Sequence, residues 1–170
     1  MLGGLQRLQA GRPPPRLSLS TLLYTGHAIG SALTVVASTE GKAVAEAPLI
    51  LVVEDDYPLQ GVVEDFLRQG GFETHILSSG EEALTLFRGK VAEYKALVTD
   101  VSLKGTLNGW EVARQIRETA ADFPVVYMTG AAADAWTSQG VPNSILLQKP
   151  FAPAQLVTAV SQLLNAMPPA

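Results

Sequence analysis

From position 49 the chain alternates short unbroken apolar runs with longer segments in which apolar residues recur every three or four positions. Leu49–Val53 is the first run, and its lack of any polar interruption suits a strand covered on both faces. Asp56 then offers an N-cap, and Pro58 suits a first helical turn. Leu59, Val62, Val63, Phe66 and Leu67 follow the i, i+3, i+4 spacing of one helical face, which Gly70-Gly71 ends. The cycle returns four times. Glu73–Leu77 predicts a second strand, and Ser79 or Gly80 opens a helix with Ala83, Leu84 and Phe87 inward. Ala96–Thr99 predicts a third strand, followed by a loop and a helix built on Val112, Ala113 and Ile116. Val125–Met128 is a fourth strand, followed by a weak, Ala-rich helix near Ala132–Gln139. Ser144–Leu147 is a short fifth strand. The last helix gathers Leu156, Val157, Val160, Leu163 and Leu164 on one face.

Five βα units within about 120 residues predict an α/β domain, a parallel sheet wrapped by helices with right-handed crossovers. In open sheets of this kind the ligand site lies at the carboxyl ends of the strands, at the topological switch point. Strand one ends in Glu54-Asp55-Asp56, strand three in Asp100, strand four in Thr129-Gly130 and strand five in Lys149-Pro150.

The first 47 residues have a different texture. Gly11-Arg12-Pro13-Pro14-Pro15 breaks regular structure, and Leu17 to Ala37 is apolar but diluted by Ser18, Ser20, Thr21, Thr25, His27, Ser31 and Thr34. A membrane span wants about 20 mainly apolar residues, which this stretch does not supply. Two readings suit residues 1–47. Arg7, Arg12 and Arg16, the apolar stretch and Ala43-Val44-Ala45 fit a secretory signal loosely. A disordered extension suits them better, with the domain expected at 48–166, a tail at 167–170 and the whole in the cytoplasm. A later start would need a non-standard initiator, since no Met lies between Met1 and Met128.

Composition narrows the chemistry. The 170 residues are 47% hydrophobic and 16% charged, enough apolar material for a core. There is no cysteine, which excludes disulfide scaffolds, thiolate metal sites and cysteine nucleophiles. Net charge is −4. Residues 1–47 carry four basic and two acidic residues, a net of +2, while residues 48–170 carry 8 basic and 14 acidic residues, a net of −6. An acidic domain without a basic stripe argues against nucleic-acid binding and suits a cation site.

Crowded carboxylates repel unless a cation or protons neutralise them. Oxygen-only ligands select a hard divalent ion, and Mg²⁺ typically takes one or two carboxylates plus waters and substrate phosphate. Asp100, alone on its strand, is the natural nucleophile, since a carboxylate can form an acyl-phosphate. Lys149 and the metal would hold the phosphoryl oxygens, and Thr129 would donate a hydrogen bond. Each residue also has a duller role. Asp56 reads as a helix cap, Glu54 and Asp55 as solvated loop acids, and Thr129-Gly130 as an ordinary turn. Trp110 reads as core and Trp136 leans to packing. His27 and His75 stand isolated.

The stretches LILVVEDD, ALVTD, NGWEVARQIR, PVVYMTG and ILLQKPF make residues from about Pro48 to Asn165 resemble the receiver domain of two-component response regulators. The resemblance implies a doubly wound, flavodoxin-like (βα)5 sheet in the order 2-1-3-4-5. It implies Asp100 as phospho-acceptor, Glu54 and Asp55 as the acidic pair with Asp55 the direct Mg²⁺ ligand, and the backbone carbonyl of Ser102 as a further ligand. Thr129 becomes the switch hydroxyl and Lys149 the bridge to the phosphoryl group, with a cis Lys149–Pro150 peptide. The implied partners are a histidine kinase or histidine phosphotransfer protein and an unspecified downstream protein, reached through the fourth helix, fifth strand and fifth helix. The implied role is acceptance and relay of a phosphoryl group rather than enzymatic turnover.

Departures are visible too. Leu146 stands where many relatives carry an aromatic. The loop VSLKGTLNGW is one residue longer than in many of them and lacks their Pro, with Gly105 and Asn108-Gly109 available for unusual turn dihedrals. The chain stops after the fifth helix, so an output by binding is expected. Three rival functions fit the residues less well. A haloacid-dehalogenase-type phosphatase needs a second Asp at position 102, where Ser stands, and a DxDGT run. A flavin-binding module needs a phosphate loop where Glu54-Asp55-Asp56 puts negative charge. A docking receiver that is never phosphorylated is disfavoured because all five key positions are filled.

Overall fold

The computed structural model describes residues 46–166. The readings of the first 45 residues and of the tail at 167–170 fall outside them. Within the described part, β1 (Leu49–Val53), β2 (Glu73–Leu77), β3 (Tyr94–Asp100), β4 (Val125–Thr129) and β5 (Ile145–Gln148) alternate with α1 (Tyr57–Gln69), α2 (Gly80–Gly89), α3 (Gly109–Thr119), α4 (Trp136–Gln139) and α5 (Pro153–Ala166). All strand pairings are parallel, in the order β2-β1-β3-β4-β5. The doubly wound sheet predicted from the sequence is therefore the fold.

Alternation within each strand divides the core in two. Ile50, Val52, Ala96, Val98, Val126 and Met128 face the α1–α5 side, where Val63, Leu67, Leu156 and Val160 pack on them. Leu51, Val53, Leu97, Val125 and Tyr127 face the opposite side, against Ala83, Leu84, Phe87, Trp110, Val112 and Ile116. Both faces of the inner strands are buried, so they read as continuous apolar runs rather than alternating ones. Trp110 is core as expected, its ring centroid 4.4 Å from that of Tyr127.

Local details differ from the sequence reading at several points. Val62 has the helical spacing of its neighbours but is 42% exposed, because the stripe that α1 buries is centred on Val63 and Leu67. The fourth helical segment breaks into a 3₁₀ turn at Ala133–Ala135 and one α turn at Trp136–Gln139, with no residue of either buried. Trp136 lies over Gly140 and donates its indole N–H to Ser144 Oγ at 3.0 Å. His75 sits on the exposed side of edge strand β2, its Nδ1 2.7 Å from the Tyr94 hydroxyl, a structural contact. Strand β3 starts two residues earlier than expected and β5 is displaced by one. Asn108 is extended and caps α3 in a reciprocal capping box with Glu111, so in the Asn108-Gly109 pair no turn dihedral is needed. The positive φ of this loop belongs to Gly105, at 131°.

Among the described residues, no helix is long and apolar enough to cross a membrane.

Candidate phosphoryl-acceptor site

The strand ends converge as the topology requires. β1 and β3 are adjacent, so Glu54 and Asp55, which follow directly on β1, stand beside Asp100, the last residue of β3. One carboxylate oxygen from each of Glu54, Asp55 and Asp100 lies within 4.8 Å of the others. Asp56, next in sequence, turns away to cap α1, accepting from Leu59 N–H at 3.1 Å.

Glu54 is the most enclosed of the three acids, at 1% exposure. Its Oε1 accepts from Asp56 N–H at 3.1 Å and its Oε2 takes Lys149 Nζ at 2.8 Å. Burial pushes its carboxyl above the ordinary glutamate range, while the Lys149 contact pulls the other way. Lys149 also lies 3.3 Å from Asp100 Oδ1, so one ammonium bridges two carboxylates. It follows directly on β5, where its own N–H donates to Thr129 O at 2.7 Å and ties the ends of β4 and β5 together. The Lys149–Pro150 peptide is cis.

Thr129 closes β4 fully buried, and its Oγ1 accepts from Ala131 N–H at 3.3 Å and Ala132 N–H at 2.9 Å. It thus holds the start of the α4 segment, with its hydroxyl proton left to donate. Ser102, two residues past Asp100 in the β3–α3 loop, is exposed. Leu146 is half-buried against the α2–α3 side of the core.

Two participants escaped the sequence reading. Lys104, in the β3–α3 loop, places its Nζ 3.0 Å from Asp55 Oδ2, and that carboxylate holds its ammonium above the ordinary lysine range. Glu81, in the first turn of α2, reaches across to the same loop. Its Oε1 accepts from Thr106 N–H at 3.0 Å, Leu107 N–H at 3.2 Å and the Thr106 hydroxyl. These donors, the Thr106 hydroxyl foremost, favour the ionised form and hold the Glu81 carboxyl below its ordinary range. A depressed carboxyl contributes stability above its unfolded pKa and loses it as pH falls through the lower folded value. The clamp is therefore expected to open in acid. Protection of the Thr106 and Leu107 amides from hydrogen exchange, relative to the intrinsic rate at each pH, should fall there, and at all pH values in Glu81→Ala, while the β-sheet amides stay protected. Unchanged exchange at those two amides in the variant would remove the clamp from the account.

The donor set suits a hard divalent cation: three carboxylates within reach of one ion, all oxygen, on a rigid sheet. The same pocket holds an ammonium placed to meet an anion on Asp100. Chemically, the arrangement can bind a cation and a phosphoryl group side by side.

Comparison with known proteins gives the family and the same fold. The family model for the response regulator receiver domain matches residues 50–161. Probable transcriptional regulator ycf27 of Porphyra purpurea is 32% identical over 118 residues, 68% of this chain and 47% of that protein. The chain spans about half the length of the curated relatives it matches. A response regulator receiver protein from Sinorhizobium medicae WSM419 superposes with a TM-score of 0.69 at 45% identity, covering 71% of this chain and 97% of that one. The receiver domain of a sensor histidine kinase from Pseudomonas aeruginosa PAO1, solved with magnesium in its active-site cleft, superposes with a TM-score of 0.60 at 26% identity. It covers 71% of this chain and 99% of that one.

Proposed function

The chain belongs to the response regulator receiver domain family, and from that premise we propose that it accepts a phosphoryl group on Asp100 from a phospho-histidine. The donor is a histidine kinase or a histidine phosphotransfer protein, and the setting is the cytoplasm. The observation that carries the proposal is the meeting of Glu54, Asp55, Asp100 and Lys149 in one pocket at the strand ends.

In the proposed step an Asp100 carboxylate oxygen attacks phosphorus. The bond from phosphorus to the histidine nitrogen breaks, and the imidazole leaves with the electron pair and takes up a proton. Asp100 is 7% exposed, so its nucleophilic oxygen is held by the sheet rather than by solvent. Lys149 would follow the phosphoryl oxygens from its present place between Glu54 and Asp100, and its ammonium would balance the charge on them. Thr129 would donate its hydroxyl proton to the same group. Glu54, Asp55, Asp100 and the backbone carbonyl of Ser102 would hold Mg²⁺. The magnesium in the Pseudomonas aeruginosa receiver supports that assignment. When bound, Mg²⁺ supplies charge neutralisation at the phosphoryl oxygens. The phosphorylated domain then signals by contact with a downstream protein or by passing the phosphate on.

Incubation with Mg²⁺ and acetyl phosphate, followed by intact mass, tests this. The expected result is a single phosphoryl adduct that is lost in Asp100→Ala. An adduct that survives that substitution, or none in the wild-type chain, would overturn the proposal.

A further inference from the structure

Lys104 stands four positions beyond Asp100, in the loop from β3 to α3. Its ion pair with Asp55 joins unlike partners: the lysine side chain is 85% exposed, whereas that of Asp55 is only 11% exposed. An ammonium thus reaches in from solvent to a largely enclosed carboxylate. The loop that carries it is fixed. Glu81 anchors Thr106 and Leu107, and Gly109 N–H donates to Val101 O at 3.0 Å. The lysine stem therefore starts from a defined point, and its placement over Asp55 follows from the loop's path.

The charges are then distributed in a definite way. Lys149 serves Glu54 and Asp100, and Lys104 serves Asp55. Three carboxylates face two ammonium groups, one enclosed and one nearly free. We propose that Lys104 is a built-in counter-ion of the acidic pocket, which competes with a divalent cation for Asp55 and sets the affinity for Mg²⁺. This rests on the reading of the pocket as a cation site.

An ammonium and a divalent ion repel one another on the same carboxylate, so cation entry displaces the weaker-held charge. Lys104 is that charge, because its exposed head returns to water with little loss. Lys149 keeps two carboxylate partners and stays. Exposed ion pairs of this sort are worth at most about a fivefold factor in an equilibrium. Repulsion from the displaced but still nearby ammonium adds to it. Removing the charge is thus expected to tighten Mg²⁺ binding by about three- to tenfold.

The test is calorimetric titration of Mg²⁺ into the full chain, at fixed ionic strength, for wild type, Lys104→Met and Lys104→Arg. The expected result is tighter binding by Lys104→Met and a dissociation constant within about twofold of wild type for Lys104→Arg, which keeps the charge. Equal or weaker binding by Lys104→Met, with Mg²⁺ binding to wild type intact, overturns the competition alone. Failure of all three proteins to bind Mg²⁺ overturns the cation site and the competition with it. Lys104 is exposed, so the folding equilibrium of both variants, read by urea unfolding, should stay within about fivefold of wild type, and the fully folded chains separate a binding effect from a folding one.

Discussion

Lys149→Met is expected to destabilise the domain by about 2–3 kcal/mol at pH 7.5 in the presence of a chelator. Removing one partner of a buried pair typically costs about 3–5 kcal/mol, because a charge is left enclosed without compensation. The cost falls at or below the bottom of that range because Glu54 has an escape. Burial already raises its carboxyl above the ordinary glutamate range, and Lys149 is what opposes that rise. Without the ammonium the folded pKa moves further up. A carboxyl with a raised folded pKa favours the fold below its unfolded value, and loses that contribution as pH rises through the folded one. The deficit should therefore be largest at neutral pH and shrink toward pH 5, as Glu54 takes up its proton more readily than an ordinary glutamate. Adding Glu54→Gln should recover part of the loss at neutral pH, since the orphaned charge goes with it. Urea unfolding at the two pH values measures this, and equal deficits at both would contradict the account.

Gly109→Ala should cost about 3 kcal/mol, the upper end of what overpacking produces. A Cβ at this position would lie 2.1 Å from the Asp100 carbonyl oxygen, 2.9 Å from its carbonyl carbon and 3.0 Å from Val101 Cα. All three neighbours are backbone of the acceptor strand and its first loop residue, so no side-chain rotation relieves the clash. The opposing gain from exchanging Gly for Ala in a helix is at most about 1 kcal/mol, and less at a first helical position. Gly61→Ala supplies the contrast. That residue lies inside α1 with nothing within 4 Å of the new methyl, and the substitution should stabilise by about 0.5–1 kcal/mol. Opposite signs in thermal unfolding would bear out the packing argument. A Gly109→Ala chain as stable as wild type would refute it.

The fold was legible because a strand buried on both faces leaves a run such as LILVV, and the helices between them keep their own period. The acids and the lysine were legible for a related reason: charge that closes an apolar strand has few structural uses. Other features left no such trace. Val62 keeps helical spacing, yet the width of the buried stripe is decided by what packs on α1. The α4 segment has helical composition, but without buried anchors only one α turn forms. Glu81 and Thr106 are 25 residues apart, and their contact depends on the path of a loop whose dihedrals the residue types do not determine. Lys104 is an ordinary loop lysine until that path carries it over Asp55. Gly109 resembles a turn glycine in sequence, whereas its need is for space beside the acceptor strand.

The two tryptophans divide the molecule optically. Trp110, the second residue of α3, is 6% exposed in the core, while Trp136 is 36% exposed in the α4 segment. Emission from the first should be blue-shifted and shielded from aqueous quenchers, and emission from the second red-shifted and quenchable. A Trp136→Phe chain thus carries a single tryptophan, in the core against Tyr127 at the start of α3, and a Trp110→Phe chain a single one in the exposed α4 segment. Stopped-flow records of the pair would time events in the core at the start of α3 against events at α4 without any attached dye.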